Sequence, residues 1–130
     1  MKRNPCVYLC GLINGCTDAE CSDWRVAAKQ HFKRTLDPMR RDYRGRELEC
    51  APEIVALDKR DIQDADVVLA NCPKPSVGTS MEIFFAWSQR KPVVCIVPDK
   101  LTASPWLRVH SAALVESLAE AVAFIEERVK

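Results

Sequence analysis

The 130-residue chain has no excess of charge of either sign, no apolar run long enough to span a bilayer and no C-x-x-C pair. Its 19 Lys+Arg stand against 18 Asp+Glu, which removes the electrostatic case for a nucleic acid polymer as partner. The one basic run, Lys33 to Arg46, is interleaved with Asp37 and Asp42 and reads as a solvated loop. No segment approaches the roughly 18 apolar residues of a membrane span, and the first residues lack a signal-peptide core. A soluble, cytoplasmic protein with no membrane partner is therefore expected. Seven cysteines are scattered over apparent core strands (Cys6, Cys10, Cys95) and loops (Cys16, Cys21, Cys50, Cys72), and the two histidines, His31 and His110, stand far apart. That pattern offers no metal ligand set and favours free thiols. There is no internal repeat and no low-complexity segment, and the length suits one domain, residues 1–130.

What is present centres on Asp66 to Pro98, DVVLANCPKPSVGTSMEIFFAWSQRKPVVCIVP. Val67–Ala70 and Val93–Val97 are uninterrupted β-branched runs, the pattern of strands covered by helices on both faces. Between them lie a polar loop from Asn71 to Val77 and a helix opening at Gly78-Thr79-Ser80. Upstream, Cys6–Cys10 reads as a strand ended by Gly11. A helix from Ala19 or Asp23 to Arg34 follows, with Trp24, Ala27, Ala28, His31 and Phe32 on its core-facing stripe. Thr35-Leu36-Asp37 is extended and stopped by Pro38; Met39 to Leu48 forms a polar excursion over the site. The next helix is expected from Ala51 or Pro52 to Gln63, with Ile54, Leu57 and Asp61 near one stripe and Asp58 on an adjacent line.

After the second buried strand come a loop from Asp99 to Pro105, Trp106-Leu107, a short edge strand Ala112–Val115, and a terminal helix. Ser117 and Glu120 have capping-box spacing ahead of the apolar face Leu118, Ala121, Val122 and Ile125. The alternation β-α-β-α-β-α-β-β-α predicts an α/β protein. Its layers are α/β/α around a parallel sheet of about five strands, flavodoxin-like (Rossmann-like) in strand order. Ligands then collect beyond the carboxyl ends of the strands. Three stretches meet there: Tyr8 with the Gly11 to Gly15 loop, Asp58, and Asn71 to Glu82. They bring together a phenol, two carboxylates and the amides of a helix start, a place suited to anions, with Gly78 allowing a tight turn. The loop after the first strand has no hydroxyl-rich phosphate cradle, which argues against a redox flavodoxin and for no cofactor. Each residue also has a plain reading: Glu82 at the positive end of a helix, Asp58 as one solvated acid among Asp61, Asp64 and Asp66, Tyr8 as core, and Trp87 and Trp106 as packing.

Tyr8-Leu9-Cys10-Gly11, Leu36-Asp37-Pro38-Met39-Arg40, Asp58 eight residues before Asp66, and above all Pro75-Ser76-Val77-Gly78-Thr79-Ser80-Met81-Glu82 with Lys91-Pro92-Val93-Val94 make a recognisable set. Over about residues 6 to 106 the chain resembles the nucleoside 2-deoxyribosyltransferase family. The resemblance implies cleavage of the N-glycosidic bond of a 2'-deoxynucleoside or its 5'-monophosphate. Glu82 is then the nucleophile, Asp58 the proton donor or orienter of the leaving base, and Tyr8 the hydrogen-bond partner of the nucleophile. Gly11, Asn14, Asp37, Arg40, Asn71, Ser76, Gly78, Thr79 and Ser104 are the implied substrate contacts. Members acting on free nucleosides carry an aspartate six residues before the nucleophile; Ser76 stands there and resembles the related 2'-deoxynucleoside 5'-phosphate N-hydrolases. Those hydrolases also place serine and arginine in the loop after the first strand, where this chain has Leu12 and Asn14, leaving Arg40 or Arg44 to replace the charge.

The family's base-contacting segment corresponds to Leu36–Arg46, with Asp37, Met39 and Arg40 as candidates. A neighbouring subunit completes the family's site from about Thr102 to Ser104, which implies a homo-oligomer with shared sites. The helix Ile83–Gln89, with Phe84, Phe85 and Trp87 around its circumference, has more apolar surface than one sheet face covers. Transfer of the sugar to an acceptor base is the leading expectation. Hydrolysis of 2'-deoxynucleoside 5'-monophosphates and a non-catalytic nucleotide sensor are the alternatives.

Overall fold

The structure, a computed structural model, describes residues 3–129. Five parallel strands form one sheet in the order β2-β1-β3-β4-β5: β1 (Cys6–Gly11), β2 (Arg34–Leu36), β3 (Val67–Asn71), β4 (Val93–Ile96) and β5 (Ala113–Val115). This is the expected flavodoxin-like order, in which the chain reverses its direction of travel across the sheet between β1 and β3. Gly11 stands opposite Asn71 at the carboxyl edge of that switch point.

Side chains of β1 alternate between two cores. Tyr8 and Cys10 join Val68, Ala70, Val93 and Cys95 beneath α2 (Glu47–Asp64) and α3 (Val77–Ser88), which contribute Ile62, Ile83 and Ala86. Val7 and Leu9 join Val67, Leu69 and Val94 on the opposite face, under α1 (Asp18–Lys29) and α5 (Leu118–Val129), through Ala28, Ala121 and Ile125. Both faces of the central strands are sealed, so their β-branched runs need no polar alternation.

The elements differ from the sequence reading at their ends. Helix α1 starts at Asp18, because Thr17 and Glu20 form a reciprocal capping box, and it stops at Lys29 rather than Arg34. His31 and Phe32 therefore lie beyond it; Phe32 still packs on the core and His31 is exposed. The strand β2 covers Arg34–Leu36, and Asp37 instead caps a single 3-10 turn, Pro38–Arg40, accepting from the Met39 amide at 2.8 Å. Helix α2 begins at Glu47, so Leu48 belongs to it and Pro52 sits inside it. The proline removes only the bond to Leu48, whose turn is exposed and open to water. Helix α3 begins at Val77 with Ser76 as its N-cap, and Gly78 makes no tight turn: the positive-φ glycines are Gly15 and Gly45. A short helix absent from the sequence reading, α4 (Pro105–Val109), precedes β5. At the terminal helix Ser117 does accept from the Glu120 amide, at 3.1 Å.

No helix among the described residues is long and apolar enough to cross a membrane.

Candidate active site

Tyr8 enters the site from the middle of β1, fully buried, and its Oη donates to Oε2 of Glu82 at 2.8 Å. Glu82 comes from the second turn of α3 and is half-buried. Burial pushes its carboxyl up to about 7, the negative charge of Asp58 adds to the rise, and hydrogen bonds from Tyr8 and the Cys10 thiol hold it down. Burial likewise drives the Tyr8 phenol well above its ordinary range, with the Glu82 charge adding to it. Asp58, from α2, is pushed up to about 6 by burial; the Arg41 guanidinium opposes that rise and Asp61 reinforces it. The charge of Asp58 thus raises the proton affinity of Glu82, and both carboxyls act on the buried Tyr8 phenol.

A charge network backs this pair. Asp61, one helical turn beyond Asp58 and buried, accepts from Arg41 Nη2 at 2.6 Å and from Arg40 Nη2 at 2.8 Å. The same Arg41 nitrogen lies 3.6 Å from Asp58 Oδ1. The sequence reading missed Arg41 altogether and placed Asp61 on a stripe without a role. A carboxylate on an otherwise apolar stripe, as in Ile54, Leu57 and Asp61, is the signal that a cation must meet it.

Arg25 was also missed. It is 1 % exposed, and its Nε and Nη1 donate to the carbonyls of Leu9, Leu12 and Cys21, tying the end of β1 to α1. Its Nη2 has no hydrogen-bond partner among the described residues. Beside it, Trp24 packs on Gly11 so closely that a Cβ there would lie 2.7 Å from Cζ2 of the ring. Gly11 thus serves the backbone's approach to a tryptophan.

The remaining sequence-predicted residues fall into separate groups. Asp37 is buried, with its carboxylate on Lys29, Arg25 and the Met39 amide, and Arg40 divides its two terminal nitrogens between Asp61 and the Asp37 carbonyl. Both line a cavity of about 510 Å³ between α1 and the segment after β2. Ser76, Thr79 and Ser104 line a larger one, about 800 Å³, on the opposite flank of α3, walled by Met81, Phe84, Trp106 and His110. The lining of neither cavity includes Tyr8, Asp58 or Glu82. Chemistry, not volume, therefore marks the site. Ser76 Oγ accepts from the Thr79 amide and Ser104 Oγ from the Trp106 amide, each capping its own helix. Asn14 is exposed in the loop after β1, Asn71 ends β3 beside Ile96, and Gly78 faces open space. Among the described residues no cluster of three or more His, Cys, Asp or Glu is arranged to hold a metal.

A sequence search among curated proteins found no significant match. Among solved structures, the chain is similar to the 2-deoxyribosyltransferase of Bacillus psychrosaccharolyticus, with 14% identity, 90% of each chain covered and a TM-score of 0.74. It is similar to a conserved protein from Enterococcus faecalis V583, with 15% identity, 98% and 100% coverage of this chain and that one, and a TM-score of 0.74. It also resembles the CMP N-glycosidase BcmB of Clostridium botulinum, with 16% identity, 93% and 98% coverage and a TM-score of 0.58. At such identities the likeness shows the fold. The sequence model that describes nucleoside 2-deoxyribosyltransferases matches residues 7–122, nearly the whole chain, and the protein belongs to that family.

Proposed function

We propose that the protein cleaves the N-glycosidic bond of a 2'-deoxynucleoside, or of its 5'-monophosphate, through a covalent deoxyribosyl ester on Glu82 and passes the sugar to an acceptor base. The observation that carries this reading is the Tyr8–Glu82 hydrogen bond with Asp58 facing it from α2. A carboxylate oxygen of Glu82 attacks C1', and the C1'–N bond breaks with its electron pair on the base. Asp58 supplies the proton that makes the base a tolerable leaving group. In the second half an acceptor nitrogen attacks C1', the Glu82 carboxylate departs and the proton returns to Asp58. Two displacements at one carbon give overall retention.

Hydrolysis of a 5'-monophosphate is the second reading, and Ser76 favours it. A serine hydroxyl at the start of α3 tolerates a phosphate that an aspartate would repel.

The reading includes a homo-oligomer. Thr102, Ala103 and Ser104 line the cavity with Thr79 and Phe84, a lining that does not include Glu82, which supports a second copy supplying that segment.

The deciding experiment incubates the protein with each deoxynucleoside and each monophosphate, with and without a second free base, and resolves the products chromatographically. A new nucleoside formed only with the acceptor establishes transfer; free base formed without one establishes hydrolysis. No product from any substrate, with no sugar adduct on the intact protein by mass spectrometry, would overturn the proposal.

A further inference from the structure

Asp61 takes no step in the proposed chemistry, yet it is a carboxylate only 5% exposed with a cation on each oxygen. Arg40 fills Oδ1 through Nη2 at 2.8 Å and is itself tethered through Nη1 to the Asp37 carbonyl at 2.9 Å. Arg41 fills Oδ2 through Nη2 at 2.6 Å. The same Nη2 stands 3.6 Å from Oδ1 of Asp58, longer than a hydrogen bond. One cation thus faces two carboxylates of α2 at very unequal distances. A clasp between the segment after β2 and α2 accounts for the two short bonds. It leaves unexplained why the cation is kept off Asp58, whose side chain is 18% exposed and open to it.

We propose that Asp61 is a positioning residue that draws Arg41 off Asp58, so that Asp58 keeps the proton it gives to the leaving base. The inference rests on the proposed glycosidic cleavage, in which Asp58 is the acid, and adds the device that keeps it protonated. A general acid has to hold its proton near the working pH. A guanidinium in direct contact fixes a carboxylate in its ionised form instead. Arg41 at 3.6 Å is within a small side-chain movement of that contact. Asp61 competes with the shorter bond, and Arg40 leaves it only Oδ2 to offer, so Arg41 has one place to dock. The charged and titratable groups facing Asp58 are Arg41 from the segment after β2, Asp61 on its own helix, Arg25 from α1, Glu82 from α3 and Tyr8 from β1. Burial raises the Asp58 carboxyl to about 6; Arg41 and Arg25 oppose that rise and Asp61 reinforces it. Asp61 therefore acts twice, by its own charge and by where it holds Arg41.

The two actions separate in a double-mutant cycle of wild type, Asp61→Asn, Arg41→Met and the double variant. The readout is the titration midpoint of the Asp58 carboxyl, followed by carbon-13 NMR and assigned with Asp58→Asn, which needs no turnover. Asparagine removes the charge of Asp61 and frees Arg41 to close on Asp58. We expect Asp61→Asn to lower the midpoint by about one pH unit or more with Arg41 present, and by less than about half as much in the Arg41→Met background. Arg40 still pairs with Asp61 when Arg41 is replaced, so no carboxylate is orphaned; Arg41→Gln serves if the methionine variant fails to fold. Equal shifts in the two backgrounds would show that Asp61 acts by its charge alone, and an unmoved midpoint that it is only a clasp; either overturns the inference. In assays, kcat/KM of Asp61→Asn should lie about tenfold or more below wild type. A lowered midpoint with a wild-type kcat/KM would overturn the link to the leaving-group proton. Absence of turnover in every protein, wild type included, bears on the proposed reaction, and the titration still decides the role of Asp61.

Discussion

The phenolic oxygen of Tyr8 and the carboxylate of Glu82 meet at 2.8 Å although 74 positions separate them in the chain. The register that aligns β1 with β3, and the packing of α3 over both, produce that meeting. Tyr8→Phe removes one oxygen from a fully buried ring and leaves the packing in place. A hydrogen bond to a charged group is worth about 1.5–3 kcal/mol. We therefore expect kcat to fall roughly 10- to 100-fold, and the acid limb of the pH profile to move upward as Glu82 loses a donor. Unchanged kcat in a folded Tyr8→Phe protein would remove Tyr8 from the mechanism.

Glu82 is held in a form that costs stability. Its carboxyl is raised from 4.5 to about 7 by burial and by the charge of Asp58. The folded protein therefore binds this proton more tightly than the unfolded chain does. That contribution to stability is fully present below pH 4.5 and is lost as the pH rises through 7. Glu82→Gln keeps an oxygen that accepts from Tyr8 and never ionises. It should abolish turnover while raising stability by about 1–3 kcal/mol at pH 8, with the gain vanishing toward pH 4. Urea unfolding at both pH values reads this directly. A variant less stable than wild type at pH 8 would mean that the buried charge is compensated.

Asp58, raised to about 6, and Glu82, raised to about 7, titrate as a pair. The reactive form carries one proton, on Asp58, with Glu82 ionised. The expected kcat/KM profile is a narrow bell with limbs near 6 and 7. Asp58→Asn should delete the alkaline limb, leave the ionisation of Glu82 as the single acid limb below 7, since a like charge beside it is gone, and lower the rate roughly 10²- to 10⁴-fold. A profile flat from pH 5 to 9 would contradict the assignment of both groups.

Local patterns made much of this legible. The β-branched runs of β3 and β4 and the strand order follow from patterns that lie within short windows, while the pairing of Tyr8 with Glu82, 74 positions apart, was implied only by the family resemblance. What was not legible has two physical sources. Element ends shifted where a cap outweighed a composition cue: Thr17 with Glu20 starts α1 early, and Pro52, read as a helix opening, sits within α2. Helix α4 spans only Pro105–Val109, too short to show a period. The charge partners were the other source. Arg41 and Asp61 are 20 residues apart, and nothing in either local sequence records that the segment after β2 folds back onto α2. Asp37 illustrates the converse, since its place in a recognised motif suggested a substrate contact and its carboxylate is turned instead to Arg25, Lys29 and a backbone amide.

Gly11 gives a prediction about the fold rather than the chemistry. A methyl group at this position would lie 2.7 Å from Cζ2 of Trp24, inside any allowed contact. The ring has little room to retreat, since the Arg25 guanidinium lies 4.8 Å from its centroid and is itself fixed to backbone carbonyls. Gly11→Ala should cost about 1–3 kcal/mol as overpacking. It should lower the denaturant midpoint without changing the slope. Wild-type stability in that variant would show that Trp24 is free to move.

The last prediction concerns assembly. Val77, Met81 and Phe84 stand on one stripe of α3 at 79%, 68% and 52% exposure, and Trp106 of α4 adds 70% beside them. Phe84 lies 6.5 Å from Trp106 and 5.1 Å from His110, so the exposed rings form one patch rather than scattered side chains. A contiguous apolar patch of this kind marks an interaction surface. In the proposed reading it seats a second copy whose Thr102–Ser104 segment reaches the Glu82 crevice. Light scattering should therefore give at least a dimer, and Phe84→Glu with Trp106→Glu should give a folded monomer. Because the pair Tyr8 and Glu82 lies on the other flank of α3, its geometry survives that change, and any loss of turnover reports the missing neighbour. We expect a loss of at least tenfold. A fully active monomer would show that one chain completes the site alone and would detach catalysis from assembly.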